Sequence, residues 1–427
     1  MQRYEKYKDS GVDWIGEIPE GWFQEPFSSV FSLKSVINNK NEELLSVYLD
    51  KGVIRFSDVG EKRTNVTSED LSKYQLVEEG DFVLNNQQAW RGSVGVSFYR
   101  GIVSPAYIVL AIKNNFDFRF LNYLLRNRSF VTHYLLCSKG VGTIQRNLYW
   151  PQLKRVYLIF PSLEEQQTIA NFLDDKTAKI DQTIAIKQKE IELLKERRQI
   201  LIQKAVTKGL DDTVKLKDSG VEWIGEIPEH WEVRKLKQVC KININSLDER
   251  TNPNYEFEYI DIGSVAYENG IINRESFLFK NAPSRARRIA KEGDTIVSTV
   301  RTYLKAIDFV DKSKSNYIFS TGFAVLEPNN DVYPKYLFSF IKSDAFTEQV
   351  SVNSKGMSYP AINSTELGAQ KVLFIPYEEQ IHIVSYLEVI EEKIAKAILL
   401  KQQEIEKLKE YKTVLIDQVV TGKVRVS

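Results

Sequence analysis

The sequence predicts an α+β fold with an internal pseudo-two-fold duplication. We expect two similar globular domains separated by two long coiled-coil helices that pair antiparallel. Three observations predict this arrangement: one short motif opens both halves of the 427-residue chain, one charged helical segment closes both halves, and the stretches between them share only sparse similarity. A chain of this length exceeds what one hydrophobic core usually organises, so at least two domains are expected.

The opening motif is the clearest repeat. Residues 6–22 read KYKDSGVDWIGEIPEGW and residues 215–231 read KLKDSGVEWIGEIPEHW, which are identical at 14 of 17 positions. An internal repeat of this kind indicates a duplicated structural unit. The motif holds Trp, Ile and Pro but no polar constellation of catalytic type. We therefore interpret it as a packing anchor that seats each domain on the helices.

The segments that follow the two motifs predict one shared α+β domain. Residues 23–160 and 232–375 contain short runs of Val, Ile, Tyr and Phe interrupted by Gly, Asn, Asp and Pro, which is typical of strands joined by turns. Amphipathic stretches within them predict one or two helices. EEGDFVL at 78–84 matches KEGDTIV at 291–297, which supports a common fold.

Each half closes with EEQ, at 164–166 and 378–380, followed by more than 40 residues without Pro or Gly. At about 1.5 Å per residue such a helix spans roughly 60–65 Å. Apolar residues recur there with the 4,3 spacing of a coiled-coil seam. The predicted seam residues are Leu173, Ile180, Ile184, Ile191, Leu194, Leu201, Leu387, Ile394, Ile398, Ile405, Leu408 and Leu415.

A coiled coil that serves only dimerisation would show the same spacing, but two variable domains between repeated helices favour a spacer. The spacing alone leaves helix polarity open. An antiparallel pair would place one domain near each end and allow two half-sites to be read together. Apolar residues beside the seam, namely Ile186, Leu193 and Ile202, are expected to stay uncovered and to make the isolated chain poorly soluble.

These repeats divide the chain into six predicted parts. They are an opening motif at 1–22, a first domain at 23–160, a central helix at 161–210, a repeated opening motif at 211–231, a second domain at 232–375 and a C-terminal helix at 376–427.

Composition limits the function classes. With 58 Lys and Arg against 57 Asp and Glu, the net charge is +1, so any nucleic-acid affinity must come from local patches. Only Cys137 and Cys240 occur, without the spacing of a disulfide framework, which favours a reducing cytoplasm. Residues 1–10 lack an apolar leader, and no run of about 18 apolar residues follows, so no membrane insertion is expected.

The sequence predicts no catalytic residue, cofactor or metal. An adenine methyltransferase needs a glycine-rich cofactor turn and a motif of the form [DN]PP[YF], whereas the nearest string, NPNY at 252–255, is better explained as a turn. GK at 422–423 lacks the other residues of a phosphate-binding loop. His133, His230 and His382 are scattered and are interpreted as structural.

Three features of the chain occur together: the repeated WIGEIPExW motif (14–22 and 223–231), the PxxEEQ helix entry (161–166, with Pro376 one residue nearer its EEQ) and the KQKEIELLKE-like helices. In these features the sequence resembles, over nearly its whole length, the specificity subunits of type I restriction-modification enzymes. The resemblance implies two target-recognition domains, each reading half of a split double-stranded DNA sequence. It further implies helices that dock two adenine-methylating subunits, joined in the assembly by motor-nuclease subunits. The target sequence is not implied.

Base edges are read mainly by Arg at guanine and by Asn or Gln at adenine, while Lys and Arg contact phosphates. NNQQAWRGSVG at 85–95 is therefore the predicted base-contacting loop of the first domain. The equivalent loop of the second domain is STVRTYLK at 298–305, and SRARR at 284–288 is the densest basic cluster; together they favour contact with the DNA backbone. Either an ordinary solvated surface or DNA contact fits the basic clusters. The candidates are Asn86, Gln87, Gln88, Trp90, Arg91, Lys139, Gln145, Arg146, Arg285, Arg287, Arg288, Arg301, Tyr303, Lys305 and Lys355.

Two other function classes remain open from the residues alone. A coiled-coil scaffold would bind only proteins, and salt-dependent binding to a specific duplex would exclude it. A nuclease or methyltransferase with an unrecognised active site would cut or modify DNA as the purified chain.

Overall fold

The computed structural model describes residues 2–12, 15–58, 70–140, 146–314 and 316–426. The chain forms two compact units: unit 1 is Met1–Lys187 with Gln402–Ser427, and unit 2 is Gln188–Lys401. Both units mix strands with helices and repeat one topology, so the predicted α+β class and duplication are confirmed.

Unit 1 begins with the opening motif and continues through short strands and helices. Its strands are β1 (Tyr7–Asp9), β2 (Glu17–Pro19), β3 (Phe23–Pro26), β4 (Phe31–Lys34), β5 (Leu45–Tyr48), β6 (Gly52–Arg55), β7 (Gln75–Val77), β8 (Phe82–Asn85), β9 (Val94–Val96), β10 (Gly101–Val103), β11 (Tyr107–Ile112), β12 (Ser138–Lys139), β13 (Asn147–Leu148) and β14 (Tyr157–Phe160). Its helices are α1 (Phe27–Val30), α2 (Phe118–Arg126), α3 (Arg128–Leu136), α4 (Trp150–Leu153) and the first part of the long helix α5 (Leu163–Lys208).

The centre of unit 1 is an antiparallel sheet in the order β4-β11-β8-β9. Side chains alternate across β8, so that Phe82 and Leu84 pack with residues of α2 and α3 while Val83 packs with residues of β5, β6 and β10. Asp117 caps α2 by accepting hydrogen bonds from the backbone N–H groups of Arg119 and Phe120. Both faces of the sheet are therefore buried at β8.

Unit 2 repeats this succession of elements. Its strands are β15 (Leu216–Asp218), β16 (Glu226–Pro228), β17 (Glu232–Lys235), β18 (Cys240–Ile242), β19 (Glu256–Ile260), β20 (Val265–Ala266), β21 (Gly270–Ile271), β22 (Glu275–Leu278), β23 (Ala286–Ile289), β24 (Thr295–Ser298), β25 (Ile307–Phe309), β26 (Tyr317–Ser320), β27 (Phe323–Pro328) and β28 (Lys371–Phe374). Its helices are α6 (Leu236–Val239), α7 (Pro334–Lys342), α8 (Asp344–Asn353) and α9 (Ser364–Ala369), and the long helix α10 (Tyr377–Val420) begins here.

The central sheet of unit 2 has the order β18-β27-β24-β25, which matches β4-β11-β8-β9 strand for strand. A second sheet, β22-β19-β26-β23, contains the parallel pair β19 and β26. Among the described residues of unit 1, the corresponding parallel contact is the bridge between Leu44 and Ile102. The two domains thus share one fold, and within the part of the chain that the structure describes the second sheet is more extensive in unit 2.

The opening motifs form hairpins whose last residue is a fully buried tryptophan. Trp22 packs in one core with Val419 and Val420 of α10, and Trp231 packs with Ala205 and Val206 of α5. The next glycine after each helix has a left-handed backbone, with φ 73° at 422 and 78° at 209, as expected where a helix ends. The motif therefore anchors each domain to the end of a long helix.

Within each unit the two long helices run antiparallel. In unit 1, Lys412 contacts Asp181 at 2.7 Å and Lys187 contacts Glu404 at 2.6 Å, so partners descend along α10 as they ascend along α5. In unit 2 the same pairing recurs with the helices exchanged, because Lys401 binds Glu190. Lys187, Lys401 and Lys412 lie where the apolar spacing is interrupted, and each engages a carboxylate on the facing helix.

The predicted seam residues all lie on the covered side of the helices. Leu173, Ile180, Leu387, Ile394, Ile405 and Leu415 are buried, and Ile184, Ile191, Leu194, Leu201, Ile398 and Leu408 are half-buried. Ile186 and Leu193 are exposed, as expected. The expectation for Ile202 is wrong: it is 4% exposed because it packs beside Trp231 and Val206 in the core of unit 2.

One repeated position has different surroundings in the two units. Asp81 precedes β8 and binds the Lys34 ammonium group at 2.5 Å. Its counterpart Asp294 precedes β24, is 3% exposed and accepts a hydrogen bond from the Lys291 backbone N–H at 2.7 Å. Burial, and the nearby charge of Glu327, raise the pKa of Asp294 to about 6. The second unit therefore buries a carboxyl group that lacks the lysine found in the first.

Candidate nucleic-acid interface

In unit 1 the loop between β8 and β9, residues 86–93, is fixed against the β12 and β13 hairpin. The backbone N–H of Leu148 donates to the Asn86 side-chain oxygen at 3.0 Å and to its carbonyl at 3.1 Å. Trp90 Nε1 donates to the Gln87 carbonyl at 3.0 Å and closes the loop on itself. Two segments that are far apart in sequence thereby present one surface.

Cations and aromatic rings interleave on this surface. The Arg91 and Arg146 guanidinium carbons lie 5.0 Å and 5.7 Å from the centre of the Trp90 ring. Lys139 Nζ lies 3.7 Å from the centre of the Tyr149 ring. These distances are typical of cation–π contacts, which hold a cation in place without neutralising it.

The other predicted residues of unit 1 differ in exposure. Gln87, Arg91 and Lys139 are exposed, whereas Asn86 and Gln88 are half-buried. The hydrogen bonds of Asn86 give it a part in positioning the hairpin. Gln145, also predicted, lies outside the described residues.

In unit 2 the loop between β24 and β25, residues 299–306, is held in the same way by the segment 354–362. Val300 forms a β-bridge with Ala361, the Ile362 N–H donates to the Thr299 carbonyl at 2.8 Å, and Thr302 Oγ1 bonds Ser354 Oγ at 2.9 Å. The loop therefore occupies the place that the β8–β9 loop occupies in unit 1.

Arg301 and Tyr303 are exposed on this loop, and the Arg301 guanidinium carbon lies 5.0 Å from the centre of the Tyr359 ring. Lys305 instead contacts Asp344 at 3.3 Å and Glu348 at 3.2 Å. Burial lowers the pKa of Lys305, but these carboxylates raise it overall. Its charge is therefore already compensated within the unit.

Lys355 also has a carboxylate partner, because its ammonium group binds Glu366 at 2.6 Å and this hydrogen bond raises its pKa. The neighbouring residues Met357 and Tyr359 are also exposed, at 103% and 65%. Sequence reasoning missed both of them, together with Tyr149 in unit 1. The available signal was the SKG string shared by 138–140 and 354–356.

The basic cluster at 284–288 is divided by the fold. The Thr321 N–H donates to the Arg285 carbonyl and the Thr299 N–H donates to the Gly322 carbonyl, both at 2.8 Å, so Arg285 adjoins the β24–β25 loop. A β-bulge falls between Ala286 and Arg288, and Arg287 and Arg288 are half-buried.

The two half-buried arginines have their own surroundings. The Arg287 guanidinium carbon lies 5.0 Å from the centre of the Phe279 ring. Burial lowers the pKa of Arg288, whose Nε is buried without a hydrogen-bond partner. The structure thus brings only Arg285 of the cluster to the loop.

Neither metal nor membrane features accompany these loops. Across residues 2–12, 15–58, 70–140, 146–314 and 316–426, no group of three or more His, Cys, Asp or Glu side chains is arranged to hold a metal ion. In the same described ranges, no helix combines the length and apolar character needed to cross a bilayer.

The repeated units and their matching polar loops define a two-domain protein built by internal duplication. A family model described as the type I restriction modification DNA specificity domain matches residues 26–196 and 228–410. Because these matches cover well over half of the sequence, the chain belongs to this family and carries its domain twice.

Individual relatives cover nearly the whole chain. A Methanocaldococcus jannaschii protein assigned as the type I restriction enzyme MjaX specificity subunit is 25% identical over 431 residues, which is 96% of each chain. A solved chain from work on complex assembly and conformational transition of the type I R-M system gives a TM-score of 0.69 at 16% identity, covering 95% of this chain and 99% of that one. The HsdS subunit from Thermoanaerobacter tengcongensis gives 0.54 at 17% identity, covering 95% and 98%. These structures share the fold.

Proposed function

We propose that this chain is the DNA-reading subunit of a type I restriction-modification complex and that each unit reads one half of a split double-stranded target. The observation that carries the proposal is the recurrence of one loop arrangement in both domains of a DNA specificity family. The loop after β8 is bound to the segment after α3, and the loop after β24 is bound in the same way to the segment after α8. Duplicated loops of different sequence suit a target with two different halves.

In unit 1 we assign base reading to the exposed side chains of the β8–β9 loop. The Gln87 amide can pair with adenine and the Arg91 guanidinium with guanine. Lys139 and Arg146 beside the loop would contact phosphates. Asn86 serves to hold the two segments together, since its side chain accepts the Leu148 N–H.

In unit 2 Arg285, Arg301 and Tyr303 would face the duplex. Lys305 and Lys355 would position the loop, because each is ion-paired within the unit and phosphate binding would require breaking that pair. This division of roles revises the expectation that all basic residues of the region contact the DNA backbone.

Exposed apolar residues on the long helices support the docking of methylating subunits. In unit 2, Leu193 and Ile200 lie one heptad apart on α5 and are 51% and 60% exposed, and Leu399 and Leu400 on α10 are similarly exposed. Apolar surface of this kind is typical of a protein interface. We assign adenine methylation, DNA translocation and cleavage to partner subunits, and none of these reactions to this chain.

The test is modification mapping. The chain is co-expressed with its methylating subunit, and host DNA is sequenced for methyladenine. We expect a split motif with two constant halves and a fixed gap, and an inactive methylating subunit gives the control. A stable complex that neither modifies DNA nor binds any duplex would favour the protein-binding scaffold, and modification by the purified chain alone would favour an enzyme.

A second measurement assigns each half to its domain. Gln87→Ala with Arg91→Ala should relax the sequence of one half-site and leave the other half and the gap unchanged. Equal effects on both halves would contradict the assignment of one half-site to each unit.

A further inference from the structure

Arg301 is an exposed cation in unit 2 that is held by an aromatic ring and not by a carboxylate. Its guanidinium carbon lies 5.0 Å from the centre of the Tyr359 ring. Among the described residues of the chain, it has no ion-pair partner, whereas Lys305 and Lys355 nearby are both paired. The Arg301 side chain is thus oriented while its five N–H donors remain available.

The backbone around Arg301 is constrained. Arg301 and Lys305 have left-handed conformations, with φ 52° and 46°, and bracket the short turn Thr302–Leu304. The other described non-glycine residues with positive φ are Asn38 and Asn243, a residue type that tolerates this conformation. Strained backbone of this kind concentrates at functional sites.

The turn is secured on both sides, which allows it to keep this conformation. Thr302 Oγ1 bonds Ser354 Oγ at 2.9 Å, and Lys305 Nζ binds Glu348 at 3.2 Å. The neighbouring residue Val300 is bridged to Ala361. The position of Arg301 is therefore fixed by its neighbours.

Unit 1 contains the same kind of pair with the roles exchanged. There the ring, Trp90, belongs to the β8–β9 loop, and Arg146 belongs to the facing segment after α3. The Arg146 guanidinium carbon lies 5.7 Å from the ring centre. In unit 2 the loop supplies the cation and the facing segment supplies the ring. The pairing of an arginine with an aromatic ring is thus a repeated feature of the point where the two segments meet.

We propose that Arg301 reads a guanine in the major groove of the half-site bound by unit 2, with Tyr359 as the positioning residue that holds the guanidinium plane. This inference rests on the proposed function. A planar arginine fork can donate two hydrogen bonds to the O6 and N7 atoms of guanine, and lysine cannot reproduce both this fork and its stacking on a ring. If Arg301 instead bound a phosphate group, a lysine at this position could replace it.

The test compares variants of the full chain in its complex with the methylating subunit, by modification mapping and by competition binding to duplexes altered at single base pairs. Arg301→Lys and Arg301→Ala should both lower discrimination by about 10- to 100-fold at one guanine of one half-site. Tyr359→Phe should retain discrimination, and Tyr359→Leu should reduce it at the same base pair. Arg301→Gly, which tolerates the left-handed backbone, replaces Arg301→Ala if the latter misfolds.

Three outcomes would overturn the inference. Arg301→Lys could keep full discrimination while Arg301→Ala weakens binding to every sequence, which indicates a phosphate contact. The affected position could lack guanine, or the effects could fall on both half-sites. If the unaltered complex modifies and binds no specific sequence, the proposed function itself fails, and this result is distinct from a change in one base preference.

Discussion

The unequal surroundings of Asp81 and Asp294 lead to a prediction about pH and stability. The pKa of Asp294 is about 6 in the folded protein, against the ordinary value of 3.8, because the side chain is buried near Glu327. Between these two pH values the folded chain binds more protons than the unfolded chain, so the stability of unit 2 falls as pH rises through this window. Above about pH 6 the buried carboxylate is charged and lowers the free energy of unfolding of unit 2 by the full amount.

Without screening, a change of about 2 in the pKa corresponds to about 3 kcal/mol. The neighbours Lys291 and Glu327 are partly exposed, so water screens the site and we expect about 1 kcal/mol. Asp294→Asn keeps an acceptor for the Lys291 N–H and removes the charge. It should therefore stabilise unit 2 by about 1 kcal/mol at pH 7.5, and the gain should vanish below about pH 4.

The measurement is hydrogen exchange with mass spectrometry on peptides that cover β24 and β8, which reports the opening free energy of each unit separately. The matched control is Asp81→Asn, which leaves the half-buried Lys34 ammonium group without its closest carboxylate and should destabilise unit 1 by about 2 kcal/mol at pH 7.5. A destabilising Asp294→Asn change that persists at pH 4 would refute the assignment of a burial cost to this carboxylate.

Three further predictions concern the helices and the anchoring motif. Seven residues inserted after Lys187 and seven after Lys401 lengthen each helix by about 10 Å, so the gap in the methylated motif should grow by about three base pairs; a changed half-site sequence would contradict the spacer role. Leu193→Glu should reduce self-association of the isolated chain in light scattering and weaken binding of the methylating subunit, and unchanged association would exclude this helix face as the contact. Glu379→Ala leaves Trp231 Nε1 without the carboxylate to which it donates at 2.8 Å, so urea denaturation should show a free energy of unfolding lower by about 1–3 kcal/mol. Glu379→Gln should restore part of this free energy, and no restoration would point to another cause.

The architecture was predictable because it depends on repeats and periodicity. The opening motifs match at 14 of 17 positions, and the apolar spacing of α5 is repeated in α10, so duplication and helix pairing follow from the chain itself. The antiparallel polarity was an expectation that the apolar spacing alone left open, because that spacing is the same in both directions. It is defined by the specific pairs Lys412–Asp181 and Lys187–Glu404.

The candidate interface was predictable only in part. Loop composition indicated Arg91 and Arg301, but partner carboxylates that are distant in sequence compensate Lys305 and Lys355. Similarly, Ile202 occupies a flanking position of the heptad, yet the anchoring motif covers it. Tertiary contacts of this kind have no periodic signature, so charge and exposure at single positions could not be derived from spacing.

The ion pairs along the long helices bear on how such a chain could arise. Two of these ion pairs are equivalent under the duplication, namely Lys187 with Glu404 and Lys401 with Glu190. Each helix carries a lysine and, three residues later, a glutamate. A half-length chain would therefore carry both members of this pair and could bind a second copy of itself. The Lys412–Asp181 pair breaks that equivalence, because residue 395, the counterpart of 181, is alanine. Once two such halves are fused into one chain, one helix and its attached domain can change in sequence while the other half stays the same.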